Sequence, residues 1–124
     1  MFEVTIRTTF SAAHQLKFYD GKYENLHGHN WIAVVTASAK ELDAIGLGID
    51  FVKLRELTDE ILSVLDYKNL NEVAPFDKMN PSAENIAQWL FEALKPHVNN
   101  GNAQIRKVEI KEFEHSGASY YEDA

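Results

Sequence analysis

Three histidines carry the spacing that could do chemistry. His27 and His29 flank Gly28 and open a stretch dense in Trp31, Ile32, Val34, Val35 and Thr36. Such β-branched and aromatic content predicts a strand from His27 to about Ser38. Residues i and i+2 of a strand share a face, so both imidazoles project together, about 6–7 Å apart at the backbone. Both could then reach one metal ion at about 2.0–2.1 Å per Zn–N bond. His14 lies at the end of an earlier strand. If the two strands pair antiparallel, the end of one adjoins the start of the other, and His14 comes near His27 and His29. Three neutral imidazoles with an open fourth position is the layout of a catalytic zinc site, whereas a structural site is closed by four protein ligands. A His-x-His pair alone is a common pattern; the placement of His14 is what turns it into a candidate centre. Gly28, with no side chain, leaves the backbone open to approach. His97 follows Pro96 at a helix end, where a cation favours the dipole.

The elements that must position these residues are legible from periodicity. Phe2, Val4, Ile6, Thr8 and Phe10 alternate with Glu3, Thr5, Arg7 and Thr9, the mark of a strand with one wet face. Ser11 to Leu26 reads as a loop with a turn at Asp20-Gly21. Apolar residues from Val52 to Leu65 recur at helical spacing behind Asp50, which sits at an N-cap position. A second helix is expected from about 82 to 95 after the start signals Asn80-Pro81-Ser82. Ile105, Val108 and Ile110 form a third strand, and after Ser116-Gly117 a short fourth ends at Tyr120 or Tyr121. The order β-β-α-α-β-β predicts an α+β layer: an antiparallel sheet with two helices on one face. The sheet's other face and its edges would be managed by oligomerisation.

Composition narrows the class. The chain has 124 residues, so residues 1–124 are expected to form one domain, and 12 Lys/Arg against 19 Asp/Glu give a net charge of −7. That balance disfavours a nucleic-acid or anionic-membrane partner. No run approaches the roughly 18 apolar residues of a membrane span, and Met1-Phe2-Glu3-Val4 begins at once in a strand pattern without a signal region. The absence of cysteine removes disulfides, thiolate zinc sites and thiol nucleophiles, and fits a reducing, cytoplasmic setting.

Phe10-Ser11-Ala12-Ala13-His14 followed by Leu26-His27-Gly28-His29-Asn30 closely resembles the 6-pyruvoyl-tetrahydropterin synthase family, which includes the 6-carboxytetrahydropterin synthases of queuosine biosynthesis. The resemblance extends through Gly48-Ile49-Asp50-Phe51, Leu65-Asp66-Tyr67-Lys68-Asn69-Leu70-Asn71, Asn80-Pro81-Ser82-Ala83-Glu84-Asn85 and Ile110-Lys111-Glu112. It implies the tunnelling fold, assembled as a hexamer of two trimers with active sites at subunit interfaces. It also implies that His14, His27 and His29 hold Zn²⁺ and that Glu112 anchors a pterin. A carboxylate can accept two parallel hydrogen bonds from the N–H edge of a 2-amino-4-oxo pyrimidine, as it does from guanidinium. Read without the resemblance, Glu112 is one solvated acid beside Glu114, Glu122 and Asp123. Asp50 and Glu84 also match family positions, where helix capping and first-turn electrostatics explain them adequately.

The chain departs from the family pattern at two places. Tyr23 stands where most members carry a cysteine, and Tyr67 where they carry a histidine; of that proton-transfer set Asp66 remains. A phenol with pKa near 10 needs perturbing to act as a base at neutral pH. Glu24, three residues before His27, resembles the glutamate of a subgroup that cleaves the side chain of 7,8-dihydroneopterin triphosphate to 6-hydroxymethyl-7,8-dihydropterin. The expected function is therefore a zinc-dependent lyase, with Glu24 as acid/base supported by Asp66 and Tyr67. The alternatives are the 6-carboxy or 6-pyruvoyl product, a non-catalytic pterin-binding paralogue, or a structural zinc site. His115 is a further candidate for the missing histidine. Lys17, Lys22 and Arg7 are the cations nearest the histidines in sequence and hence candidates for the substrate's phosphates.

Overall fold

A computed structural model describes residues 1–18 and 20–123; Tyr19, inside the segment read as a loop, and Ala124 lie outside the described residues. Five strands form one sheet in the order β3-β1-β2-β4-β5. They are β1 (Phe2–His14), β2 (His27–Ala39), β3 (Lys68–Asn69), β4 (Ala103–Phe113) and β5 (Ser116–Tyr121). The helices are α1 (Phe51–Leu62) and α2 (Ala83–Val98). Helix α1 packs against β1, α2 packs against β4 and β5, and the helices touch each other. The expected α+β layer is thus present, with one addition. Two residues of β3 pair parallel with Ala12 and Ala13 of β1, so the sheet is antiparallel except at this edge.

Strand β1 ends at His14, as its placement beside His27 requires, and carries the alternation read to Phe10 on through residues 11–13, which read as the start of a loop. Ala12 and His14 continue the inward alternation of Val4, Ile6 and Phe10, and all five are buried. Ala12 and Ala13 carry little β-propensity, and pairing with β2 on one side and β3 on the other overrides it. Helix α1 stops three residues before Leu65. Leu65 is nonetheless fully buried, from a turn that ends with Tyr67 at φ +60°. Helix α2 passes Pro96 and ends at Val98. Proline forfeits one hydrogen bond in this last turn, while Val98 gains burial against the core.

On one stripe of α2, Ile86, Leu90 and Leu94 are fully buried in a cluster with Val35 of β2 and Val108 and Ile110 of β4. Each such side chain contributes about 1.5–3 kcal/mol of transfer free energy. The same inner face, followed toward the start of β2, leads past Trp31 to the histidines. Trp31 stacks on Phe10 with ring centroids 5.8 Å apart, and its Nε1–H donates to the Ala12 carbonyl at 3.1 Å. That indole forms the apolar floor of the histidine cluster.

Candidate metal centre and active site

The β1–β2 register places His14 opposite His27 and Ala12 opposite His29. All three imidazoles therefore leave the inner face at the same end of the sheet. Ring centroids lie 4.7 Å apart for His14 and His27, 5.4 Å for His14 and His29, and 4.8 Å for His27 and His29. One nitrogen from each lies within 4.8 Å of the others. Trp31 backs two of the rings edge-on, 4.7 Å from His14 and 5.3 Å from His29.

The hydrogen bonds behind the rings select the tautomer. His14 Nδ1 lies 2.8 Å from the Pro81 carbonyl and His27 Nδ1 lies 2.7 Å from the Asn25 carbonyl. A carbonyl can only accept, so each Nδ1 carries the proton and each Nε2 presents a lone pair. Among the described residues, the buried Nε2 atoms of His14 and His29 have no hydrogen-bond partner. A buried polar atom left unpaired costs about 1–3 kcal/mol. A divalent cation in the middle satisfies both at once, so these residues fit a metal ion. Burial also holds the His29 pKa below the usual histidine value, with the Glu112 carboxylate opposing that shift. A neutral imidazole is the form that binds metal.

Two carboxylates approach this cluster. Glu112, on β4, places Oε1 3.7 Å from His14 Nε2 and Oε2 3.5 Å from His29 Nε2. Glu24 places Oε1 4.0 Å from His27 Nε2. Glu24 is set there by a small hairpin. Its amide donates to the Leu16 carbonyl at 3.0 Å, its Oε1 accepts from the Leu16 amide at 3.0 Å, and Lys17 bridges to Tyr23 one step further out. The expected turn closes this hairpin, with Gly21 at φ +84° and the Lys22 amide donating to Asp20 Oδ1. The segment after His14 is pinned as well. Asn71 holds the backbone of Gln15, and Asn80 holds that of Lys17, each through one donated and one accepted bond.

Beside Glu112 lies a cleft of about 240 Å³ lined by Ala83, Glu84, Glu112, Ser116, Gly117 and Ala118. Gly117 is sterically required in its wall, since a Cβ there would come within 2.7 Å of Lys111 Cγ and 3.0 Å of the Ile110 carbonyl.

Other sequence candidates sit elsewhere. Asp66 Oδ1 accepts from the Ser11 amide at 2.8 Å, and the Tyr67 amide donates to the Ser11 carbonyl. Tyr67, 84% exposed, lines a groove with Ala13, Gly28, His29 and Asn30. By strand alternation Ala13, Gly28 and Asn30 sit on the face opposite the imidazoles, and His29 is the histidine that reaches this groove. Among the described residues, no hydrogen bond or ion pair joins Asp66 or Tyr67 to the histidines within one chain. Tyr23 is exposed, with Lys17 Nζ 5.9 Å from its ring centre. Arg7 is paired with Glu114. His115 is exposed beside Phe113. Asp50 caps α1 through the Val52 amide at 2.8 Å, and His97 lies in the last turn of α2 as expected. The sequence reading missed the carbonyls of Pro81 and Asn25. Asn80-Pro81-Ser82 was legible as a helix start and as part of the family resemblance, and backbone acceptors leave no residue-type signal.

The profile of the 6-pyruvoyl tetrahydropterin synthase family matches residues 3–123. The chain belongs to this family. A dihydroneopterin monophosphate aldolase of Pyrococcus furiosus is 32% identical over 111 residues, covering 88% of each chain. A 6-carboxy-5,6,7,8-tetrahydropterin synthase of Synechocystis is 31% identical, covering 91% of this chain and 88% of its own. The structure of Caenorhabditis elegans 6-pyruvoyl tetrahydropterin synthase superposes with a TM-score of 0.81 at 28% identity, covering 99% of this chain and 98% of that one. Membership of the 6-pyruvoyl tetrahydropterin synthase family agrees with the sheet and its paired helices. Among the described residues, no helix is long and apolar enough to cross a membrane.

Proposed function

We propose that this protein is a zinc-dependent lyase that cleaves the side chain of a phosphorylated 7,8-dihydroneopterin, releasing 6-hydroxymethyl-7,8-dihydropterin. The observation that carries the reading is the pair of buried, unpartnered Nε2 atoms on His14 and His29, flanked by Glu112 and, beside His27, by Glu24. His14, His27 and His29 would hold the ion, and three nitrogen donors suit zinc with a place left for substrate. Bound Zn²⁺ would supply Lewis-acid stabilisation of negative charge developing on a side-chain oxygen.

The chain's own groups do the rest. Glu112 would accept the paired N–H groups of the pterin edge, with the ring in the cleft toward Gly117 and Ala118. Glu24, half-buried over His27, would remove the proton from the hydroxyl on the second side-chain carbon. The bond between the first and second side-chain carbons then breaks. Its electron pair passes into the ring's C6–N5 system, and the second carbon leaves as an aldehyde. Returning the proton to the first carbon completes the hydroxymethyl group, so atoms and charge balance. The similarity to the Pyrococcus aldolase supports cleavage at this bond, as does the lack of any cysteine.

Phosphorylation of the substrate suits a cytoplasmic protein. Of the cations nearest the histidines, Lys17 and Lys22 remain for the phosphate, since Arg7 is paired with Glu114. Asp66 and Tyr67 would contribute across a subunit boundary, in the homo-oligomer (a hexamer, as dimer of trimers) that the family resemblance implies. Sheet edges at β3 and β5 and the exposed side chains of Phe18, Leu26, Tyr67 and Phe113 support such assembly. A solution mass of one chain would remove that part of the reading.

The zinc-loaded protein should convert dihydroneopterin phosphate, mono- or triphosphate, to the 6-hydroxymethyl pterin and a two-carbon aldehyde. Glu24→Gln should lower turnover by about 10²–10⁴-fold with zinc content intact. A 6-pyruvoyl or 6-carboxy product would overturn the cleavage. Tight pterin binding without turnover, unchanged in Glu24→Gln, would make the protein a binder.

A further inference from the structure

We infer that Asn71 and Asn80 are positioning residues for Glu24. Their side chains stand in for a missing strand along the edge of β1 and so hold the backbone amide that aims the Glu24 carboxylate. The inference rests on Glu24 being the proton carrier proposed above and names the residues through which the fold places it.

The edge of β1 away from β2 is covered rung by rung at alternate residues. The Ser11 amide donates to Asp66 Oδ1 at 2.8 Å, and the Ser11 carbonyl accepts from the Tyr67 amide. Ala13 pairs with Asn69 of β3. There β3 ends, because Leu70–Glu72 turn into a short 3₁₀ helix. Side chains take the next two rungs. Asn71 accepts from the Gln15 amide and donates to the Gln15 carbonyl, each at 2.9 Å. Asn80 accepts from the Lys17 amide at 2.9 Å and donates to the Lys17 carbonyl at 2.8 Å. A carboxamide carries the donor and acceptor of a peptide group, so it supplies a rung where no strand is present.

Residues 15 and 17 thus face the asparagines, and Leu16 between them faces the other way. Its amide donates to Glu24 Oε1 and its carbonyl accepts from the Glu24 amide, both at 3.0 Å. The same Oε1 lies 4.0 Å from His27 Nε2. Asn80 is itself tied down, since its carbonyl accepts from Asn85 Nδ2, in the first turn of α2, at 2.8 Å. Position therefore passes from α2 through Asn80 and Lys17 to the Leu16 amide and on to the carboxylate. Without the asparagines the hairpin keeps only its own pairing, which is marginal for two strands alone. A reacting group misplaced by about 1 Å can cost about 10²-fold in rate.

Asn102 supplies the control. It clamps the Glu41 backbone by the same two bonds, at 2.8 and 3.0 Å, beyond the far end of β2. Amide hydrogen exchange is followed by NMR on the full-length protein, and turnover is measured with dihydroneopterin triphosphate alongside zinc content. Asn80 is exposed, so Asn80→Ala removes a clamp without opening a core cavity. It should speed exchange at the Leu16 and Glu24 amides about tenfold or more while the β2 amides stay protected. It should also lower kcat about 10–10²-fold with KM within about twofold, and Asn71→Ala should act likewise. Asn102→Ala should change neither the Leu16 and Glu24 exchange nor turnover. In a Glu24→Gln background, Asn80→Ala should cost no further turnover, since both changes act through one carboxylate. Unchanged exchange at Leu16 and Glu24, a fully additive loss in the double variant, or loss of zinc from Asn80→Ala overturns the inference. Wild-type turnover in Glu24→Gln overturns the proton-carrier reading, a separate result, and the exchange rates still decide whether the asparagines hold the hairpin.

Discussion

At the scale of single residues, what separates this site from a cluster of surface histidines is the fixing of its proton positions. His14 and His27 each give Nδ1–H to a main-chain carbonyl, at 2.8 and 2.7 Å, so the nitrogens that face inward are lone-pair donors before any metal arrives. The proton carrier is chosen by geometry too. Tyr23, at the position where the family resemblance expects a cysteine, is exposed and paired with Lys17, while Glu24 turns to His27. Tyr23→Phe should therefore keep turnover within about twofold of wild type in steady-state assays. A drop of about 10² or more, the size of a lost acid or base, would transfer the role from Glu24 to Tyr23.

At the scale of elements, a few side chains hold loops and strands in place around the imidazoles. Asp66 ties the turn after α1 to β1 by accepting from the Ser11 amide, next to the two-residue strand β3. Removing that acceptor leaves a partly buried N–H unpaired, which costs about 1–3 kcal/mol. Asp66→Ala should lower unfolding stability by that amount in denaturant titrations, whereas Asp66→Asn, which keeps an acceptor oxygen, should lower it much less. If Asp66→Asn abolishes turnover at near-normal stability, the carboxylate acts in catalysis as well as in holding the turn. Asn80-Pro81-Ser82 also does two jobs. Ser82 caps α2 through the Asn85 amide at 3.1 Å, and Pro81 orients His14. The helix cap and the carbonyl that orients His14 thus come from one three-residue segment.

At the scale of the whole molecule, the histidines stand at one end of a core that does not need them. From Ile6 through Trp31 to Leu94 and Ile110, the cluster of buried apolar side chains is continuous beneath the sheet. Chelation should strip the ion and leave far-UV circular dichroism largely unchanged, with a fall in Tm that grows with the free metal concentration of the reference state. Unfolding on chelation, the behaviour of small domains whose core is the metal, would mark the site as structural.

Residue type and order in the sequence determined much of this protein. Alternation and helical spacing gave the layered order of strands and helices, because apolar periodicity is set by which face must be buried. Histidine spacing gave the candidate ligands, because strand geometry puts i and i+2 on one face. The strand character of residues 11–13 and the end of α2 were not legible, since Ala12-Ala13 and Pro96 have weak or contrary local preferences that packing overrides. Only the tertiary structure decided that Glu112 lies against the imidazoles while Asp66 and Tyr67 do not, and that two carbonyls set the tautomers. Those are distances between segments far apart in the chain, fixed by register and loop closure rather than by any local pattern.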